Sequence, residues 1–71
     1  MKKYYIEIWD NKNHNYVVQS SWFDTEEQAL KWADNVFFIR HNLQVCLMSS
    51  EWDTEMDTYT DILLERIIRE Y

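Results

Sequence analysis

The sequence predicts one small α+β domain: a three-stranded antiparallel or mixed sheet with a helix packed on one face. Three observations lead there. Residues 3–9 and 43–48 alternate at the two-residue period of a strand, with one apolar side. Residues 24–40 place apolar side chains at helical spacing behind a capping signal. Seventy-one residues leave room for a single domain over residues 1–71.

The elements follow in order. In residues 3–9, Tyr4, Ile6 and Ile8 share a face turned to the core, and Lys3, Tyr5, Glu7 and Trp9 share the other. Residues 10–15 are polar and rich in Asn, which tolerates the left-handed backbone that Gly would supply in a hairpin loop. Residues 16–22 read as a second strand, with Tyr16, Val18 and Trp22 on one side. Asp24 then offers a helix N-cap with Glu27 three residues on. Leu30, Ala33 and Phe37 form the buried stripe, Trp32 and Phe38 fall off it, and the helix is expected to stop near Arg40 with Asn42 as its terminator. Residues 43–48 give a third strand with Leu43, Val45 and Leu47 inward.

The last third supports two readings. Leu63, Ile67 and Tyr71 on one line, with Leu64 and Ile68 beside it, favour a C-terminal helix over residues 57–70. Thr58-Tyr59-Thr60 instead favours a fourth strand over residues 56–62. An internal echo, Ser20–Glu26 against Ser49–Glu55, is identical at five of seven positions and favours a second helix after Trp52. The resulting order is β-β-α-β-α, with sheet order 2-1-3 after a helical crossover.

Composition removes most chemistries. With no Gly there is no P-loop, dinucleotide fingerprint or nucleophile elbow, each of which needs backbone without a Cβ at a fixed point. A single Cys46 forms no disulfide within the chain. His14, His41 and Cys46 lack the paired short spacings of a zinc site. Asp53-x-Glu55-x-Asp57 begins like a calcium loop, but Thr58 stands where Gly is required and Leu64 where Glu is required. No metal and no cofactor are expected, and so short a chain offers little room for a water-excluding active site. No apolar run is long enough to span a bilayer, and Glu7 interrupts the stretch where a signal peptide would be apolar. The expected location is the cytoplasm.

Charge is the informative feature. Residues 1–40 hold six acids and five bases, whereas residues 41–71 hold seven acids and two bases. Glu51, Asp53, Glu55, Asp57 and Asp61 come with no base among them. In an extended segment residues 51, 53, 55 and 57 point to one side. In a helix Asp53, Asp57, Asp61 and Glu65 form an i, i+4 ladder. Such a row is often only a solvated face. Beside Trp52, Met56 and Tyr59 it can also imitate a phosphate backbone with its bases. The candidate contact is therefore Glu51, Trp52, Asp53, Glu55, Asp57, Tyr59 and Asp61, facing the basic groove of a protein partner. The same acidity opposes direct nucleic-acid binding, which draws its affinity from phosphate neutralisation.

In size, charge and a composition rich in Lys, Asn, Ile and Tyr, the chain resembles small proteins encoded by bacteriophages and mobile elements. Some of those inhibit host nucleases or DNA-repair enzymes by mimicking DNA, so the resemblance implies an inhibitor rather than an enzyme. The alternative is a structural or assembly module using an aromatic surface of Tyr5, Trp9 and Trp32. A homodimer is expected under either reading, because a chain this short buries a marginal core alone.

Overall fold

The computed structural model describes residues 1–13, 15–36 and 42–70, without the side chain of Tyr16. Four strands and a helix follow in the order β1 (Lys2–Asp10), β2 (Asn15–Gln19), α1 (Glu26–Asp34), β3 (Leu43–Asp53) and β4 (Thr58–Glu70). The sheet order is β2-β1-β3-β4, and every neighbouring pair is antiparallel. The expected 2-1-3 core of the sheet is present, with β4 added on its outer edge.

Alternation in β1 and β3 builds the core as the pattern requires. Ile6 lies opposite Leu47 and Ile8 opposite Val45, so their side chains share one face. With Leu43, Ala29 and Ala33 they form a fully buried cluster beneath α1, flanked by Tyr4, Phe23, Leu30, Trp32, Val36 and Ile68. Each large aliphatic side chain buried this way contributes roughly 1.5–3 kcal/mol. Trp32, expected off the stripe, packs against this cluster. Between β1 and β2 the turn is organised by Asp10, whose carboxylate accepts from the N–H groups of Lys12 and Asn13 and from Asn13 Nδ2.

The helix start moves by one residue. Thr25, not Asp24, is the N-cap, in extended conformation, and its hydroxyl accepts from Gln28 N. Gln28 Oε1 reciprocates by accepting from Thr25 N and Asp24 N. This frame places Glu26 and Glu27 in the first turn, where the helix dipole favours them, and frees Asp24 to pair with Lys3. The helix closes at Asp34 with Asn35 as C-cap, earlier than Arg40. Phe37, Phe38, Arg40, His14, His41 and Tyr71 lie outside the described residues. Asn42 does adopt the left-handed conformation (φ 65°), at the entry to β3.

The C-terminal helix over 57–70 is replaced by β4, a longer version of the fourth-strand alternative. The helix expected after Trp52 is likewise absent: residues 54–57 are the turn of the β3–β4 hairpin. Register explains the misleading rhythm. Pairing between β3 and β4 shifts three times, at β-bulges that add a residue on the β4 side. Leu64, Ile67 and Glu70 therefore lie opposite Met48, Cys46 and Gln44 on one face, and Leu63, Arg66 and Arg69 lie opposite Ser49, Leu47 and Val45 on the other. Each face recurs every three residues, a period that mimics a helix. The strand wins because it closes the open edge of β3, whose backbone groups need partners beside a buried core.

Candidate functional site

The β3–β4 hairpin runs past the end of β1. Lys2 pairs with Glu51 in the ladder, and the backbone of Trp52 meets Met1: its N–H donates to Met1 O and its carbonyl accepts from the terminal ammonium. Asp53 to Thr58 continue beyond that point as the tip. Thr58, Tyr59 and Thr60 return opposite Asp53, Trp52 and Glu51.

This topology brings Glu51, Asp53, Glu55, Asp57 and Asp61 to one end of the molecule, although neither of the two rows expected from spacing forms. The helical ladder has no helix to carry it, and the extended row is broken by the turn. Asp53 turns its Oδ1 back to accept from Glu55 N at 2.9 Å and Met56 N at 3.2 Å, holding the turn closed. Asp57 (φ 53°) and Asp61 (φ 52°) occupy left-handed positions that Gly would take elsewhere, one ending the turn and one at a bulge. Glu51 pairs with the terminal ammonium at 3.4 Å. Glu55, Asp57 and Asp61 are exposed, with Met56 exposed among them.

The basic residues nearest in sequence are held elsewhere. Arg66 pairs with Glu26 at the start of α1, and Arg69 donates to the carbonyl of Ala33. Lys2 pairs with Glu65 at 3.0 Å, and Ser49 Oγ donates to the same carboxylate at 2.6 Å. The Ser49 hydroxyl, and then Lys2, hold the Glu65 carboxyl below its ordinary value, while Glu65 raises Lys2.

Beneath the tip, aromatic rings brace the hairpin. Trp22 stacks on Tyr59 with centroids 3.8 Å apart and meets Tyr5 edge-on at 4.4 Å. Trp52 meets Tyr59 edge-on at 4.8 Å. Trp22 is the residue that sequence reasoning assigned to a strand face without a partner. Phe23, the next residue, bridges to Tyr4 and carries the extended backbone past β2, a pairing that no local sequence signal records. Trp52 and Tyr59, two of the expected contact residues, are half-buried and brace the hairpin.

The alternative aromatic set does not share a surface. Tyr5 is 3% exposed on the sheet face opposite α1, Trp9 is half-buried on that same face, and Trp32 packs on the core side. Tyr5 Oη donates to Glu7 Oε2 at 3.1 Å, and burial, then Glu7, push its phenol up to about 12. Cys46 is buried nearby, and burial first, then Glu7 and Glu70, raises its thiol, which suppresses the reactive thiolate. Among the described residues no group of three His, Cys, Asp or Glu is placed to hold a metal ion. Nor, among them, is any helix long and apolar enough to cross a membrane.

No protein-family model, curated protein or solved structure matches the chain.

Proposed function

We propose that this is a non-enzymatic acidic protein of phage or mobile-element type, acting in the cytoplasm. It inhibits a nucleic-acid-binding host protein by presenting its β3–β4 hairpin end to that protein's basic groove. One observation carries the reading: the hairpin end gathers Asp53, Glu55 and Asp57 at its tip and Glu51 and Asp61 at its base, with no Lys or Arg between residues 41 and 65. Grooves lined by Lys and Arg attract such a surface over a Debye length of roughly 8 Å at physiological salt, so encounter is fast and salt-sensitive. The braced aromatic base reduces the ordering cost when the tip docks.

The test neutralises charge while keeping the backbone. Asn tolerates the left-handed positions of Asp57 and Asp61 and accepts the same turn hydrogen bonds as Asp53. A variant carrying Glu51→Gln, Asp53→Asn, Glu55→Gln, Asp57→Asn and Asp61→Asn should fold as the parent does. In a pull-down from bacterial lysate, the parent should capture a nucleic-acid-binding protein that high salt or excess duplex DNA displaces, and the variant should not. Equal capture by parent and variant rejects the proposal.

A further inference from the structure

β4 is an outer strand with the sequence pattern of an inner one. Ile62, Leu63, Leu64 and Ile67 are 55%, 56%, 54% and 43% exposed. Leu63 lies opposite Ser49 and Leu64 opposite Met48, so both faces of the strand are apolar. Runs of that kind belong to strands that are paired on both edges and covered on both faces. A long apolar edge is also a template for strand addition. Along its C-terminal half, Ile67, Ile68, Arg69 and Glu70 line an open groove of about 380 Å³.

We propose that the free edge of β4 pairs antiparallel with β4 of a second copy, joining two four-stranded sheets into one across a two-fold axis near Glu65 and Arg66. Charge selects this occupant. The chain carries −6 overall, yet residues 62–70 are neutral, with Glu65 and Glu70 against Arg66 and Arg69. Two copies therefore meet where their mutual repulsion is least, with both acidic tips outside the paired segment. Order along the strand is also self-complementary: Leu63-Leu64-Glu65-Arg66-Ile67-Ile68 read against itself brings apolar residues to apolar ones. Glu65 contacts Ser49 and Lys2, and Arg66 contacts Glu26, so the two charged side chains lie on the helix side of the sheet. Each acid then comes within cross-strand reach of the other copy's base. The other edge, β2, has five residues against thirteen in β4, and a β2–β4 contact would be head-to-tail and open-ended rather than closed.

Sedimentation and light scattering over a concentration series test the proposal, with circular dichroism to verify folding. The parent should move from monomer to dimer, and Leu64→Lys, at an already exposed position, should remain monomeric. Glu65→Arg or Arg66→Glu alone should weaken the dimer about tenfold, and the double exchange should restore most of it. That rescue is specific to the contact between copies, because the exchange leaves the pairs with Lys2 and Glu26 broken within each chain. A parent that stays monomeric up to about 1 mM overturns the proposal. So does a dimer that survives Leu64→Lys, or one lost through Val17→Lys on the β2 edge.

Discussion

Tyr5 shows how little of a side chain's role is decided by its own strand. Alternation sets it on the face opposite α1, and Trp22 from the crossover then covers it, leaving the phenol against Glu7. Its proton is held up to about 12 in the folded chain against an ordinary 10.0. Between those values the unfolded chain releases a proton that the folded chain keeps, so stability falls as pH rises through that window. Ultraviolet titration should resolve one phenol ionising near about 12, absent in Tyr5→Phe, whose denaturation midpoint should depend less on pH over the same range. A step that survives in Tyr5→Phe would assign the shift to another tyrosine. Asn42, Asp57 and Asp61 make a related point, since a chain with no Gly places its left-handed backbone on the residues that pay the smallest steric penalty.

Secondary structure was legible where the signal was local and ambiguous where it was not. β1, the front of β3 and α1 were readable from period and caps, because the face each turns to the shared core carries an unbroken apolar repeat. The helix frame slipped by one residue because Asp24 and Thr25 are both good caps, and it is the Thr25 hydroxyl, accepting from Gln28 N while the Gln28 side chain accepts from Thr25 N, that sets the frame. Thr25→Ala should therefore cost about 1 kcal/mol in urea denaturation. Asp24→Ala, which removes an exposed ion pair with Lys3, should cost less. The reverse ranking would restore Asp24 as the cap. For residues 58–70 the fourth-strand alternative holds over the favoured helix, and the cause of the helical rhythm is specific: three register shifts turn a two-residue repeat into a three-residue one. A bulge is selected by register against β3, and no local propensity records it.

At the scale of the molecule, a helix over one sheet leaves a thin body, 41 × 24 × 16 Å, whose core among the described residues is five aliphatic side chains and two alanines. A chain of this length has roughly 4–11 kcal/mol of stability to lose at ~0.05–0.15 kcal/mol per residue. Leu47→Ala, at a fully buried site between Ile6 and Arg66, should remove about 2–5 kcal/mol and populate the unfolded state in mild denaturant. A midpoint unchanged from the parent would mean that stability resides outside this core. By itself the sequence determined the fold class, the 2-1-3 strand order, the helix-facing residues of β1 and β3 and the concentration of acid in the last third, since periodicity, capping and charge are properties of neighbours along the chain. Only the tertiary structure decided that residues 58–70 are a strand, that Trp22 roofs Tyr5 and props Tyr59, and that the carboxylates meet at a hairpin tip. Each of those depends on which distant segment supplies the missing hydrogen bonds and cover, and a one-dimensional pattern does not contain that choice.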